Sequence, residues 1–241
     1  MTAHILIVLA VIAGAYALAK AKGLSIELSM FAAALAGGIA GAAFATPPAA
    51  DLGRHLVEGA ATYIDVILVF FTATLFMAIV NASGGVTYVV RATMRAFARR
   101  RALALLVLMF IVLVPGAQTG AGSVSLLVVG APVALALGQL GIPKKRVAAI
   151  LFILAGLSAA APPVNIWAMV LCAGTAIPYV GFELVLGLPC LLLGTFAVFL
   201  LGWKKDPLAA GESGELPQAP SGMTWWRVLI PFVGFFGLVA A

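Results

Sequence analysis

The sequence predicts an all-α, polytopic helical membrane protein. Of its 241 residues, 64% are hydrophobic and 9% are charged, a composition far outside that of soluble globular domains. Apolar stretches recur along the chain and are separated by short clusters of Lys and Arg. The 26 glycines fit the same class, because small residues let helices pack closely in lipid.

The apolar stretches define the predicted spans in chain order. They cover residues 5–19, 24–44, 64–80, 103–114, 124–140, 147–177 and 184–203, and a further stretch begins at Trp225. Lys20 and Lys22 follow the first stretch and no basic residue precedes it, so we expect a retained span rather than a secretory signal peptide. The fourth and fifth stretches are shorter than the roughly twenty residues that a spanning helix needs.

An uncharged, helix-breaking linker joins these two short stretches. Residues 115–123 read Pro-Gly-Ala-Gln-Thr-Gly-Ala-Gly-Ser, whereas a loop in water normally carries charge. Three basic residues precede the pair at 99–101 and three follow it at 144–146, and cytoplasmic loops collect Lys and Arg. Both ends of the pair therefore belong on the cytoplasmic side, which predicts a re-entrant hairpin.

The sixth stretch is interrupted in its middle by residues 161–165, Ala-Pro-Pro-Val-Asn. Prolines deprive a helix of backbone hydrogen bonds, and in lipid such a break survives only where protein, water or an ion supplies partners. Secondary transporters build substrate and ion sites from discontinuous helices of this kind. The sequence therefore predicts a broken helix that lines a site.

These patterns divide the chain into six segments. We expect three transmembrane helices and a surface helix (46–62) in residues 1–101, the cytoplasmic re-entrant hairpin in 102–143, the broken helix in 144–181, a transmembrane helix in 182–208, a cytoplasmic linker in 209–224 and the first helix of an incomplete second repeat in 225–241. The first span begins outside and the span at Trp225 begins inside, as in inverted repeats. We therefore expect one inverted-repeat half, from a cut or split polypeptide.

Three polar residues of the hairpin tip are candidate ligands. Gln118, Thr119 and Ser123 lie among glycines, which expose backbone carbonyls beside their side-chain oxygens. Small hard cations such as sodium prefer oxygen ligands of these types. The alternative is a packing role, with the hydroxyls bonded back to helix carbonyls.

Asn165 is the polar residue of the helix break. It precedes an apolar half-helix at 166–177, and helix N-termini present free amides and partial positive charge that favour a carboxylate. The alternative role is an N-cap of that half-helix, and one asparagine can serve both functions.

Other chemistries find no support in the sequence. The basic residues flank apolar spans, so we expect no nucleic-acid partner. Cys172 and Cys190 are expected in apolar packing, and Asp65 and Glu183 at span ends as interfacial anchors. Neither a catalytic histidine within a span nor a phosphate-binding loop is found, so we expect no enzyme. The energy for transport would then come from an ion gradient or a partner.

Several segments, in the same order, carry a resemblance to a known family. They are residues 71–90 with Asn-Ala-Ser-Gly-Gly-Val at 81–86, residues 116–125 continuing through Gly-Ala-Pro at 130–132 to Leu-Gly-Ile-Pro at 140–143, and residues 154–165 with the double proline. Together they resemble the large membrane subunit of the tripartite ATP-independent periplasmic (TRAP) transporters, within the wider ion transporter superfamily. The matched segments span residues 64–203.

The resemblance implies an elevator-type transporter in the bacterial inner membrane that couples sodium to the uptake of organic acids such as dicarboxylates. It implies a second half of the permease, a small membrane subunit and a periplasmic substrate-binding protein as partners, besides membrane lipid. Carried over residue by residue, it assigns oxygen ligands for sodium to Gly116, Gln118, Gly120 and Ala160, and substrate contacts to Thr119, Ser123, Pro163 and Asn165.

Two functional hypotheses follow from the sequence. The first is sodium-coupled secondary transport of organic acids, with the chain as the N-terminal half of a TRAP-type large permease subunit. The second is a non-transporting membrane scaffold subunit that assembles with a partner permease, which the incomplete repeat would explain.

Overall fold

Helices make up all the regular secondary structure in the computed structural model, which describes residues 2–44, 52–206 and 214–240. A π-helical turn, Leu126–Gly130, lies between the helices that end at Ser125 and begin at Ala131. The helices are α1 (Thr2–Ala21), α2 (Ile26–Phe44), α3 (Leu52–Thr62), α4 (Ile64–Ala82), α5 (Gly85–Phe97), α6 (Arg101–Thr119), α7 (Gly122–Ser125), α8 (Ala131–Gln139), α9 (Lys144–Ala160), α10 (Ile166–Thr175), α11 (Phe182–Gly202) and α12 (Trp225–Ala240).

Six helical segments in the described part of the chain are long and apolar enough to cross a membrane. They are Ala3–Ala21, Ile26–Phe44, Ile64–Ala82, Arg101–Thr119, Gly122–Gln139 and Phe182–Gly202. Large apolar side chains such as Leu127, Phe152 and Leu184 point outward with about four fifths of their surface exposed. Lipid would cover such a surface, and the predicted class of multi-pass helical membrane protein agrees with it.

The chain divides into two compact units, of which the first is Met1–Tyr63. Within it α1 and α2 pack along each other, and a Cβ added at Gly37 would overlap the side chain of Ile12. This glycine therefore permits the close approach of the two helices, as small residues do in membrane helix pairs.

The predicted surface helix at 46–62 corresponds to α3, which is exposed and has one strongly polar face. Arg54 and Glu58 form an ion pair of 3.0 Å on it, one helical turn apart. Residues 46–51 of the predicted segment lie outside the described residues.

The second unit, Ile64–Ala241, has its core around α6. Inside the described structure α6 is 61% buried, more than any other segment of spanning length, and Leu105, Leu108 and Met109 have almost no exposed surface. Ile150 and Leu154 of α9 complete the core beside them. A helix with apolar residues on all sides is expected at such a central position.

The segments α6 and α7–α8 form an antiparallel helical hairpin. The chain reverses at Gly120, which has a left-handed backbone conformation with φ 65°. Near the reversal the Ser125 hydroxyl donates to the Val112 carbonyl, and at the other end the Arg101 guanidinium donates to the Leu140 carbonyl. Hydrogen bonds at both ends therefore hold the two arms together.

Both hairpin arms are longer than the sequence predicted. The first has 19 residues and the second 18, so neither is too short to cross a membrane. Pro115 does not end α6, because its missing N–H removes a single intrahelical bond. The helix continues to Thr119 and ends at Gly120, whose left-handed conformation is a common helix terminator. The predicted linker at 115–123 is thus mostly helical.

The predicted break between α9 and α10 is confirmed. The first helix ends at Ala160, the next begins at Ile166, and the Pro162–Pro163 peptide bond is cis. The second half-helix ends at Thr175, two residues earlier than predicted, because Ala176 adopts a left-handed conformation.

The predicted linker at 209–224 is described from Gly214 onward, where it is non-helical. It lies against the helices that precede it in the chain. Arg91 of α5 donates to the Pro217 carbonyl at 2.9 Å, and Gln139 of α8 donates to the Gly214 carbonyl at 3.2 Å. This part of the linker is therefore bonded to the second unit.

Candidate functional site

The hairpin tip and the helix break are in direct contact. The backbone N–H of Val164 donates to the carbonyl of Ala117 across 2.9 Å. Gly120 lies against the start of α10, since a Cβ added there would be 2.9 Å from the Ile166 nitrogen. The structure thus brings together the two segments that the sequence singled out.

Two further glycines allow this approach of backbone to backbone. A Cβ at Gly116 would overlap the side chain of Ser158 on α9, and a Cβ at Gly122 would overlap the carbonyl group of Ala155. Any side chain at these positions would push the hairpin away from α9. The glycines among the candidate site residues therefore have a packing role.

Gln118 carries the least satisfied polar group of the tip. Its side chain is 6% exposed, and its Oε1 atom is buried without a hydrogen-bond donor among the described residues. A buried acceptor of this kind destabilises a protein by about 1–3 kcal/mol unless a partner satisfies it. An amide oxygen is also a ligand that a hard cation accepts.

Thr119 has a different environment from its neighbour. It is fully buried, and its hydroxyl donates to the Pro115 carbonyl at 2.8 Å, one turn back in α6. The Ala121 amide approaches the same hydroxyl at 3.4 Å. Thr119 therefore closes the tip by bonding to helix backbone, which is the packing role that the sequence left open.

Asn165 bridges the two halves of the broken helix. Its Oδ1 accepts a hydrogen bond of 3.0 Å from the Ala168 amide, which is the predicted N-cap of α10. Its Nδ2 donates to the Ala160 carbonyl at 3.1 Å, at the end of α9. Both polar atoms of this side chain thus have partners, and one lone pair of Ala160, a predicted sodium ligand, is already engaged.

The side chains of two predicted site residues lie outside this buried contact. Ser123 and Pro163 are exposed, so neither side chain packs between the tip and the break. Ser125 has the inward position that we expected of Ser123, because it lies two residues further along α7 and faces the other side. Helix periodicity can distinguish the two serines only when the first residue of α7 is known.

Two polar residues at the break were missed. Ser158 is fully buried, packs on Gly116 and donates to the Ala155 carbonyl at 2.7 Å. The Tyr179 hydroxyl accepts a hydrogen bond of 3.3 Å from the backbone N–H of Asn165. Ser158 could have been found as the serine nearest to the double proline, whereas nothing in the sequence places Tyr179, fourteen positions along the chain, next to Asn165.

The Tyr179 phenol lies in the loop between α10 and α11 and stacks on Phe182 with ring centres 5.5 Å apart. Burial raises the pKa of Tyr179 above its ordinary value, and the hydrogen bond from Asn165 acts in the opposite direction. The phenol therefore stays protonated at neutral pH and remains available as a donor.

The chemistry of the contact is that of neutral oxygens and backbone amides. No group of three His, Cys, Asp or Glu residues that could hold a metal occurs in residues 2–44, 52–206 or 214–240. Cys172 and Cys190 are buried and free. A cation here would be bound by carbonyl and amide oxygens, which suits an alkali ion better than a transition metal.

Helix α10 begins at the same place, with its N-terminus at the break. Its ten residues begin at the break, and the amides of its first turn have no intrahelical acceptors. Asn165 satisfies the Ala168 amide, which leaves the amides of Ile166 and Trp167 without an acceptor from the helix. A carboxylate is the anion that such a helix start accommodates.

Comparisons of the chain with family models, with curated proteins and with solved structures found no match.

Proposed function

We propose that the chain is part of a sodium-coupled secondary transporter of organic acids. The observation that carries the proposal is the contact between two helix interruptions, the hairpin tip and the double-proline break, together with the unsatisfied side-chain oxygen of Gln118, the residue that follows Ala117 in the tip. Membrane transporters bind ions and substrates at helix interruptions of this kind. Two of the three groups of residues that resemble TRAP transporters, 116–143 and 154–165, include this tip and this break.

In this proposal Gln118 is the side-chain ligand of the ion, assisted by backbone carbonyls of the tip. The carbonyl of Gly116 accepts a bond of 2.6 Å from the Gly120 amide, and each carbonyl retains a second lone pair. A sodium ion would satisfy the buried amide oxygen and offset its desolvation. Thr119 would act indirectly, by fixing the shape of the tip.

The hairpin is proposed to re-enter the membrane rather than to cross it twice. Its arms have the length for either arrangement. Burial of Gln118 and Thr119 within the protein, and the absence of charge from residues 115–123, favour a tip that ends inside the membrane. The basic residues at both ends agree with a cytoplasmic origin of the two arms.

The organic acid is proposed to bind near the start of α10, where the backbone amides and the helix dipole favour a carboxylate. The resemblance to TRAP transporters supports dicarboxylates as substrates and an elevator motion in a bacterial inner membrane. It also supports three partners, which are a second half of the permease, a small membrane subunit and a periplasmic binding protein.

Uptake by the complete transporter tests the proposal. Proteoliposomes that contain the full-length permease with its partners should accumulate a radiolabelled dicarboxylate in sodium buffer. Replacing sodium by choline should abolish that accumulation, whereas a proton ionophore should leave it intact. If uptake continues after choline replaces sodium but stops when the ionophore is added, the coupling ion would be the proton and not sodium. Uptake indifferent to both would refute ion coupling.

A second candidate function is a scaffold subunit that assembles with a partner permease. It is favoured by the bonds that Thr119 and Asn165 already make within the chain, since these polar groups then need no ligand. In that case Ser123→Ala and Gln118→Leu would leave both partner binding and transport by the complex unchanged.

A further inference from the structure

A basic cavity lies on one face of α5, against the segment that leads into α12. It has a volume of about 690 Å³, and Arg91, Arg95, Tyr88 and Trp225 line it. Arg91 is held in place, because its guanidinium donates to the Leu216 and Pro217 carbonyls at 3.2 and 2.9 Å.

Arg95 lies one turn further along α5 and is exposed. Within the described residues its guanidinium makes neither a hydrogen bond nor an ion pair. The cavity thus combines one fixed guanidinium with one that is available to a ligand, and pairs of this kind suit phosphate oxygens.

An apolar groove continues along the same seam between α5 and α12. It has a volume of about 210 Å³ and is lined on these two helices by Val86, Val89, Val228 and Phe232. The groove extends along α6 as far as Pro115 of the hairpin. Its walls are almost entirely hydrocarbon, as a lipid chain requires.

An aromatic pair separates the basic cavity from the apolar groove. Tyr88 and Trp225 meet edge to face, with ring centres 5.4 Å apart. Gly85, one turn before Tyr88, faces Val228, so the two helices run side by side on the groove side of the pair. Tyr and Trp concentrate where membrane and water meet, and the seam therefore changes from charged to apolar at an aromatic boundary.

We propose that this seam binds an anionic phospholipid. Arg91 and Arg95 bind the phosphate of the headgroup, the Tyr88–Trp225 pair lies at the level of the glycerol, and one acyl chain occupies the groove beside Val89. The order of chemistry along the seam matches the order of groups along such a lipid. None of the proposed ion ligands lines the basic cavity or the groove.

One carboxylate near the cavity could compete with a phosphate for the two arginines. Glu215 lines a neighbouring cavity of about 440 Å³ together with the same two arginines. In the described part of the chain no ion pair forms between Glu215 and either arginine, so both guanidinium groups keep their charge available for a phosphate.

Native mass spectrometry of the full chain in detergent tests the proposal. The probes are dioleoyl phosphatidylglycerol, dioleoyl phosphatidylcholine, dihexanoyl phosphatidylglycerol and inorganic phosphate. The dioleoyl phosphatidylglycerol should bind best, and Arg95→Ala should weaken its binding about fivefold, the effect of one basic residue at an anionic membrane surface. Arg99→Ala is the matched control, since Arg99 is exposed and does not line the cavity.

A second substitution tests the apolar groove. Val89→Trp should fill it, and should reduce binding of the dioleoyl lipid while leaving binding of inorganic phosphate unchanged. Equal affinity for phosphatidylglycerol and phosphatidylcholine, or equal effects of Arg95→Ala and Arg99→Ala, would overturn the proposal. Tight binding of inorganic phosphate that Val89→Trp does not alter would identify a free-anion site instead, and would also overturn it.

A measurement on the unaltered protein makes the test independent of variant folding. A phosphatidylglycerol with a photoreactive diazirine in its acyl chain should label peptides of α5 and α12 around Val89 and Val228. Excess unlabelled phosphatidylglycerol should suppress this labelling more than excess phosphatidylcholine. Labelling spread evenly over the apolar surface of α11 and α4 would contradict a specific site.

Discussion

The backbone N–H of Val164 donates to the carbonyl of Ala117 across 2.9 Å, so the helix break is hydrogen-bonded to the hairpin tip. This bond joins two segments that are more than forty positions apart in the chain. Glycines on either side of it remove the side chains that would keep the backbones apart. Any ligand of the tip would therefore also respond to the position of the break.

Sodium should stabilise the protein through Gln118. The Gln118→Leu variant should lose the sodium-dependent rise in melting temperature, because its side chain no longer provides an oxygen ligand. Without sodium it should be at least as stable as the parent, since a buried acceptor without a donor has been removed. Thermal unfolding in sodium and in choline buffer measures both effects.

Gln139→Leu is the matched control for that prediction. Gln139 is a second glutamine of the same hairpin, and its amide donates to the Gly214 carbonyl on the linker. The variant should keep the full response to sodium. An undiminished sodium response in Gln118→Leu would remove Gln118 from the ion site.

Gly122→Ala should destabilise the contact between hairpin and α9. The added methyl group would overlap the Ala155 carbonyl, which belongs to rigid helix backbone. Overpacking of this type lowers the free energy of unfolding by about 1–3 kcal/mol. Urea or thermal unfolding in detergent measures the change.

Gly156→Ala provides the comparison within α9. A Cβ at Gly156 would have no atom within 4 Å, and alanine favours helix over glycine by about 0.5–1 kcal/mol. The variant should therefore be slightly more stable than the parent. If both substitutions destabilise the protein equally, the hairpin does not pack on α9 as described.

Asn165→Ala should destabilise the broken helix by about 0.5–2 kcal/mol, the usual effect of losing an N-cap. Asn165→Ser should recover much of this loss, because a serine hydroxyl can accept the Ala168 amide hydrogen bond, although it does not replace the bond to Ala160. Asn81→Ala, at an exposed asparagine, should change little. The melting temperature should rise from Asn165→Ala through Asn165→Ser to Asn81→Ala, and equal values for Asn165→Ala and Asn81→Ala would contradict the bridging role.

Arg101→Ala should loosen the base of the hairpin. The guanidinium donates to the Gly202 carbonyl at 3.0 Å from Nε and 2.6 Å from Nη2, and to the Leu140 carbonyl. Hydrogen bonds from a charged donor contribute about 1.5–3 kcal/mol, so the free energy of unfolding should fall by that amount. Arg101→Lys should restore little, since an ammonium cannot reproduce the planar fork.

Arg100→Ala is the control for the base of the hairpin, because Arg100 is exposed and no hydrogen bond of its side chain is found within the described residues. Its stability should equal that of the parent. Hydrogen exchange of α8 and the end of α11 should increase in Arg101→Ala alone. Equal exchange in the two variants would show that the guanidinium does not hold these helix ends together.

The accessibility of Ala121 distinguishes a re-entrant hairpin from one that crosses the membrane twice. We expect cysteines at Arg100 and Lys145 to react with an impermeant thiol reagent from the cytoplasmic side only. A cysteine at Ala121 should be protected from the extracytoplasmic side in the re-entrant arrangement. Rapid labelling of that position from outside would establish a full crossing.

The helix break was predictable because its signal is local. Two consecutive prolines cannot continue a helix, and a following asparagine is a preferred N-cap, so the end of α9 and the start of α10 followed from Pro162, Pro163 and Asn165 alone. The contact of the break with the tip was expected from the resemblance and from topology. The sequence did not predict which atoms make that contact.

The hairpin was predicted less well because its signals depend on neighbours. Pro115 was expected to end the first arm, yet a helix loses only one bond at a proline, and the left-handed Gly120 determines the end instead. Ser123 and Ser125 differ only in which side of a short helix they occupy. That choice depends on packing against α6, which no local pattern encodes.

Both atoms of the bond between Val164 and Ala117 belong to the main chain, and so no ordinary side-chain substitution deletes it. Ala117 and Val164 can therefore vary in identity among functional variants, provided that their size is kept, whereas a proline at position 164 would remove the donor. Mutational scanning should then find position 164 tolerant of residues similar in size to valine and intolerant of proline. The connection between tip and break therefore depends on the geometry of the backbone and not on which side chains positions 117 and 164 carry.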